Sequence, residues 1–272
     1  MKKHKLRIGI LNLMHDKEDT QRRYINALTS NISLNVEIKF FYPVTHYLDQ
    51  PVPENVTKIS SPLDIDEIKT FDGFIITGFP AEQISFENIT FINEIRCLID
   101  ELNKNNVEQL YFCWGAMAAL NYLYGIKKQL LPEKLFGVYK TKIFHQTNLL
   151  NGLNHDFIAP HARYTEMDKQ QIIQDPRLQI NAEPENGYLF LVTAKAHPEQ
   201  QFLFAHMEYD EDALLKEYQR EKSAHPEINY KKPENQKLLD SQFNWKNTQQ
   251  QFFNNWLEQV NNKKLSKKFL AV

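Results

Sequence analysis

Leu110-Tyr111-Phe112-Cys113-Trp114-Gly115-Ala116-Met117-Ala118-Ala119-Leu120 is the stretch on which the fold turns. An apolar, strand-like run ends at Cys113, Gly115 follows two residues later, and small residues then open a helix-like run. This is the layout of a nucleophile elbow, a thiol held on a tight strand-to-helix turn at the end of a sheet. The dipole and the free backbone N–H groups of a helix N-terminus favour a thiolate there. The same N–H groups can stabilise an oxyanion. A buried structural cysteine is the alternative reading of the same residues.

Working outward, strand and helix patterns alternate. Leu6–Leu13 reads as a first strand and Thr20–Leu28 as a helix, with Asp19 or Thr20 as N-cap. Leu34–Tyr42 reads as a second strand, Pro51–Leu63 as a loop, and Phe71–Thr77 as a short buried strand ending at Gly78. Ile92, Ile95, Leu98, Ile99 and Leu102 give Ile89–Asn103 a helical period, which makes Cys97 a buried structural thiol. Val107–Phe112 then feeds Cys113, and Ala116–Tyr124 is the elbow helix. Beyond about residue 135 the pattern changes to short strands at Phe136–Ile143, Phe157–Ala159, Leu178–Ala182, Tyr188–Ala194 and Gln201–Ala205. Helical patterns return at Asp210–Ser223 and Thr248–Val260, where Trp245, Phe252, Phe253 and Trp256 carry core spacing. Gly73, Gly78, Gly115 and Gly137 fall at strand ends or turns. Such βαβ alternation predicts an α/β fold with a mostly parallel sheet flanked by helices and ligands at the carboxyl ends of the strands. Residues 1–262 read as one domain and 263–272 as a frayed, solvated tail.

The chain has 272 residues, 42% hydrophobic and 24% charged, with a net charge of −2. That balance gives no field pointing to nucleic acid or to an anionic membrane. Two cysteines, Cys97 and Cys113, are too few for a disulfide framework and match no zinc spacing. His145, His155 and His161 likewise form no metal pattern. The basic start Met1-Lys2-Lys3-His4-Lys5 precedes an apolar stretch that is short, holds Asn12 and runs into charged residues, so it reads as a strand and not as a leader. No run approaches a membrane span. A cytoplasmic setting is the expectation.

A second constellation lies at Phe204-Ala205-His206-Met207-Glu208-Tyr209-Asp210. A cysteine nucleophile needs a base, and the base needs a carboxylate to fix its tautomer. Residues two apart in an extended segment point the same way, which brings Glu208 to His206. An elbow Cys with a later His-x-Glu resembles the class I glutamine-amidotransferase-like (flavodoxin-like) fold. Within it, six blocks occur in order: Ile10-Leu11-Asn12-Leu13-Met14, Phe71-Asp72-Gly73-Phe74-Ile75-Ile76-Thr77-Gly78, Cys113-Trp114-Gly115-Ala116, Glu133-Lys134-Leu135-Phe136-Gly137-Val138-Tyr139, Ala159-Pro160-His161-Ala162-Arg163 and His206-Met207-Glu208-Tyr209-Asp210. This set resembles the homoserine O-acyltransferase family of methionine biosynthesis, over residues 6 to 260.

The resemblance implies that Cys113 accepts an acyl group from acyl-CoA as a thioester, with His206 as general base oriented by Glu208. It implies that Lys134 binds substrate and that Arg220 holds the amino-acid carboxylate, a role suited to a planar guanidinium. Glu82 falls where the family selects its donor, and a carboxylate there disfavours a succinyl group and implies acetyl-CoA. Backbone N–H groups of Phe79 and Trp114 are the oxyanion-hole candidates. Small-molecule substrates, no bound cofactor, no metal and a possible homodimer complete what the resemblance implies.

Three departures stand out. The chain begins at the first strand, without the N-terminal extension common in the family. Ala162 stands where a serine is usual at the acceptor site. Asn244-Trp245-Lys246-Asn247-Thr248 stands where the family usually shows Trp-Arg-Ser-His. These changes spare Cys113, His206 and Glu208 and bear on the acceptor. Serine is one methylene shorter than homoserine, a difference worth about 1–3 kcal/mol. The departures favour L-serine and cysteine synthesis, with L-homoserine and methionine synthesis as the alternative. A glutamine hydrolase or amidotransferase, or a non-catalytic scaffold, are the rival readings of the same fold.

Overall fold

Residues 5–30, 34–235 and 245–270 are described by a computed structural model, and Asn244 of the C-terminal departure lies outside them. The chain order is β1 (Lys5–Leu11), α1 (Lys17–Leu28), β2 (Asn35–Tyr42), α2 (Glu54–Thr57), β3 (Ser61–Pro62), β4 (Gly73–Ile76), α3 (Ile92–Lys104), β5 (Glu108–Phe112) and α4 (Trp114–Tyr124). There follow β6 (Lys128–Ile143), β7 (Phe157–Met167), α5 (Lys169–Gln174), β8 (Leu178–Pro184), β9 (Leu191–Ala194), β10 (Gln200–Leu203), α6 (Ala213–Ala224) and α7 (Lys246–Leu270).

All ten strands form one sheet in the order β3-β2-β1-β4-β5-β10-β9-β8-β6-β7. From β3 to β10 every pairing is parallel, and from β10 to β7 every pairing is antiparallel. Every residue of β4 and β5 is buried. Central parallel strands need that continuous apolar character because both faces are covered. Alternation along β5 sends Tyr111 to one face and Leu110 and Phe112 to the other. The first face packs on α3 and α4, the second on α1 and α7. Trp245, Phe252, Phe253 and Trp256 are all fully buried, as their spacing predicts.

Several boundaries differ from the sequence reading. Asp16 caps α1 by accepting from Asp19 N, one turn before the expected cap. Pro51–Leu63 holds one helical turn, α2, and the two residues of β3 that pair with Phe41 and Tyr42. Cys97 is exposed, on the outer side of α3, because Leu98 and Ile99 take the inward positions. Gly137 lies inside β6 rather than at its end, with φ +153. A Cβ there would meet the Glu234 backbone at 2.6 Å. β7 runs on to Met167, and β6 begins at Lys128 with a register shift between Leu130 and Leu135. Of the segment read as a frayed tail, residues 263–270 continue α7, and 271–272 lie outside the described residues; Lys264 Nζ donates to Lys5 O and to Asp72, both at 2.7 Å.

Candidate active site

The elbow is built at the carboxyl end of β5. Cys113 caps α4 with φ +46 and ψ −112, a conformation that costs a non-glycine residue about 1–3 kcal/mol. Its N–H donates to Leu203 O at 2.7 Å, which ties the elbow to the end of β10. Gly115 is required by close approach: a Cβ there would lie 2.7 Å from both Ile76 O and Thr77 O. α4 can therefore start directly against the end of β4. As the first residue of α4, Trp114 has a backbone N–H with no intrahelical acceptor. Its ring is fully buried against Phe79, at 5.4 Å between centroids.

His206 and Glu208 lie in the turn after β10, not on a strand end, and α6 starts only at Ala213. The turn is closed by Tyr209 N donating to His206 O at 3.0 Å and fastened to β7 by His206 N donating to Pro160 O at 2.9 Å. His206 Nδ1 and Glu208 Oε1 are 2.7 Å apart, and both side chains are at most 5% exposed. Tyr209 stacks on the imidazole, with 4.4 Å between ring centroids. Burial pushes the Cys113 thiol up, against the pull of His206. Burial also works against the His206 imidazolium, but Glu208 and Cys113 outweigh it and hold His206 well above the ordinary histidine range.

Both groups open onto a cavity of about 550 Å³. Glu82, Lys134, Ala162, Arg220 and Phe79 line the same space, so these residues converge there. Glu208 stands behind His206 and Trp114 behind Cys113. Glu82 Oε1 is 3.7 Å from Cys113 Sγ, and Oε2 accepts from Tyr164 N. Burial raises the Glu82 carboxyl, against the Tyr164 N–H and the Lys134 charge. Lys134 is already matched by carboxylates, Glu217 at 2.5 Å and Glu221 at 2.6 Å. Arg220 is exposed at the cavity wall and forms no ion pair among the described residues. Its guanidinium is open to an anionic ligand.

The sequence reading missed other residues of the site. Gly78 sits over it: a Cβ there would lie 3.5 Å from Cys113 Cβ and 3.6 Å from His206 Cε1. Glu217 bridges Lys134 and the Tyr209 hydroxyl, the latter at 2.8 Å. Its spacing of three residues before Arg220 was the available signal, since that places both on one face of α6. His15 lines the cavity where it meets a smaller one of about 310 Å³ beside α1 and α6. The turn that carries His15 is fixed by Lys17, which donates to Asn12 O at 2.8 Å and to Met14 O at 2.9 Å. No group of three acidic, histidine or cysteine residues among the described residues is placed to hold a metal ion. No helix among them is long and apolar enough to cross a membrane.

Comparison with known proteins agrees with this architecture. A glutamine amidotransferase structure from Thermotoga maritima superimposes with a TM-score of 0.62, at 12% identity, covering 94% of this chain and 98% of that one. At that identity the likeness shows the fold alone, the class I glutamine-amidotransferase-like arrangement. A serine O-acetyltransferase from Lactobacillus acidophilus is 54% identical over 262 residues, 96% of this chain and 98% of that protein. A homoserine O-acetyltransferase from Lachnospira eligens is 34% identical over 259 residues, 93% of this chain and 82% of that protein. The family model for homoserine O-succinyltransferase matches residues 2–265. The chain belongs to the homoserine O-succinyltransferase family and is an O-acyltransferase of a hydroxy-amino acid.

Proposed function

We propose that this enzyme moves an acetyl group from acetyl-CoA through a Cys113 thioester to the hydroxyl of L-serine. The observation that carries the reading is the Cys113–His206–Glu208 chain opening onto one cavity with Glu82 at 3.7 Å from the sulfur. The Cys113 proton passes to His206 Nε2, and the thiolate attacks the acetyl carbonyl carbon. The N–H groups of Phe79 and Trp114 stabilise the oxyanion. The C–S bond to CoA then breaks, and CoA leaves with the proton from His206. In the second half, His206 takes the hydroxyl proton of the amino acid as its oxygen attacks the thioester. The Cys113–carbonyl bond breaks and the proton returns to sulfur. Exchange between thioesters is nearly isoenergetic, which suits a thiol nucleophile to a CoA donor.

Glu82 selects the donor. The acyl group must sit beside Sγ, so a succinyl carboxylate would meet the Glu82 carboxyl at short range. Arg220 receives the acceptor carboxylate, and Ala162 forms part of the acceptor wall. Lys134 holds Glu217 and Glu221 in place around that wall. L-Serine is favoured over L-homoserine by the name of the relative at 54% identity, against 34% for the homoserine enzyme. On this reading the reaction belongs to cysteine synthesis, and a reducing cytoplasm, which would keep Cys113 a thiol, is its expected setting.

The test is CoA release from acetyl-CoA with L-serine and L-homoserine offered separately at equal concentration. Preference for L-serine supports the reading, and preference for L-homoserine moves the enzyme to methionine synthesis. Mass spectrometry after acetyl-CoA alone should find one acetyl group on Cys113 and none in Cys113→Ala. Full turnover in that variant overturns the mechanism.

A further inference from the structure

Two buried polar atoms stand behind the Cys113–His206–Glu208 chain without a partner among the described residues: Glu208 Oε2 and the Tyr24 hydroxyl. A carboxylate taken out of water needs donors on both oxygens, and Oε1 alone is served, by His206. Tyr24 reaches this place from α1, on the far side of the sheet from α4. Its ring is fully buried and stands edge-on to Phe112, 5.4 Å between centroids, and to Phe253 at 6.3 Å. Phe112 is the residue before Cys113, so the Tyr24 ring packs against the strand residue that leads into the elbow. Burial, then the charges of Glu208 and Cys113, push the phenol well above its ordinary range. Tyr24 therefore stays protonated and can only offer a hydrogen to a nearby anion.

We propose that Tyr24 is a positioning residue, its hydroxyl donating across one internal water to Glu208 Oε2 and so extending the chain to Tyr24–Glu208–His206–Cys113. A water of this kind needs polar partners, and two unpaired buried atoms supply them. The inference rests on the reading of His206 as the base for Cys113. Removing the hydroxyl leaves the Glu208 charge less compensated, so it acts more strongly on His206, which holds its proton more tightly. The other titratable or charged groups facing His206, Glu208 and Cys113 are Glu82 from the loop after β4, Tyr209 from the turn after β10, Glu217 from α6, and His161 and Arg163 from β7. None of these changes in a Tyr24 variant.

The experiment is the pH dependence of Cys113 alkylation by iodoacetamide in wild type, Tyr24→Phe, Glu208→Gln and the double variant, each with its melting temperature. Tyr24→Phe keeps the ring and its packing. The acid limb of the alkylation profile should move up by about half a pH unit or more. With acetyl-CoA and amino acid, kcat should fall about tenfold while both KM values hold within about twofold. In the Glu208→Gln background the Tyr24 change should have no further effect. A Tyr24→Phe profile that superimposes on wild type overturns the proposal. So does a shift that persists without the Glu208 charge, because Tyr24 would then act by another route. The alkylation readout needs no acyl transfer. Loss of CoA release with every acceptor would sink the acetyltransferase reading and leave the shift to be judged alone.

Discussion

Glu208→Gln tests the site at its most buried contact. Glutamine keeps the shape, and its carbonyl can still accept from His206 Nδ1, but the charge is gone. The bond is 2.7 Å long between groups at most 5% exposed, so solvent screens little of it. A hydrogen bond to a charged group contributes about 1.5–3 kcal/mol. Lost from the transition state, that is about a tenfold to 150-fold fall in kcat/KM. The same charge raises His206, which fixes the sign of a second readout. A raised histidine stabilises the fold below its unfolded pKa near 6.5, and that contribution is lost as pH rises through the folded value. Glu208→Gln should therefore lose stability against wild type at about pH 5.5 and converge with it in alkaline solution. Urea unfolding at the two pH values and CoA-release kinetics measure both effects. A kcat/KM within twofold of wild type, or a stability loss equal at both pH values, refutes the reasoning.

Gly115→Ala drives a Cβ to 2.7 Å from Ile76 O and Thr77 O, so α4 must shift. Thermal melts should show about 1–3 kcal/mol of overpacking, with kcat down more than about tenfold from displacement of Cys113. Arg163→Met removes a fully buried guanidinium bound to Glu166 at 2.7 Å and to Phe204 O and Leu189 O at 3.0 Å. It strands the Glu166 carboxylate, so denaturant unfolding should show a loss of about 3–5 kcal/mol, and a loss below about 1 would refute the account. Glu82→Gly should raise the succinyl-CoA to acetyl-CoA ratio of kcat/KM at least about tenfold, by removing a like charge at contact range. An unchanged ratio would show that donor choice lies elsewhere.

The parallel half was legible because its residues obey one rule at a time. β4 and β5 are unbroken apolar runs between turn residues, and α3 repeats Ile92, Ile95, Leu98, Ile99 and Leu102 on one face. β7 was read only as Phe157–Ala159 because its continuation holds His161, Arg163, Thr165 and Glu166, which look like surface. They are buried because they find partners inside the fold: Arg163 bonds both His161 and Glu166, and Thr165 donates to Met117 Sδ. Pattern reading has no access to such pairing across a fold. The α7 extension was missed for a related reason. Its Lys- and Asn-rich composition reads as solvated, yet Lys264 and Lys267 cap carbonyls of Lys5, Asn105 and Asn106 contributed by distant strand and helix ends. At the site, Cys113, His206 and Glu208 were visible as local motifs. The saturation of Lys134 by Glu217 and Glu221 was not, because it spans more than eighty residues of sequence.

The two halves of the sheet divide the proposed work, and the contacts between them make the division incomplete. The carboxyl ends of the parallel strands present the Cys113 elbow and the turn that carries His206, the proposed base. The antiparallel strands and α6 contribute Lys134, Ala162, Glu217 and Arg220, the proposed acceptor wall. Glu82, the proposed donor selector, belongs to neither half alone. Its loop leaves β4, but its carboxylate accepts from Tyr164 N on β7, and its carbonyl accepts from Lys128 Nζ on β6 at 2.5 Å. Lys128 also binds Ile84 O at 2.5 Å and lies over the Phe86 ring at 4.4 Å, so the loop is clamped from the antiparallel side. A substitution that moves β7 at Ala162 therefore moves the peptide that orients Glu82, two residues along the same strand. On the proposed roles of Glu82 and Ala162, donor and acceptor choice are coupled through the backbone of one strand. On those roles, a substitution at Ala162 that changes the acceptor should also change donor discrimination unless the Tyr164 N–H stays where it is.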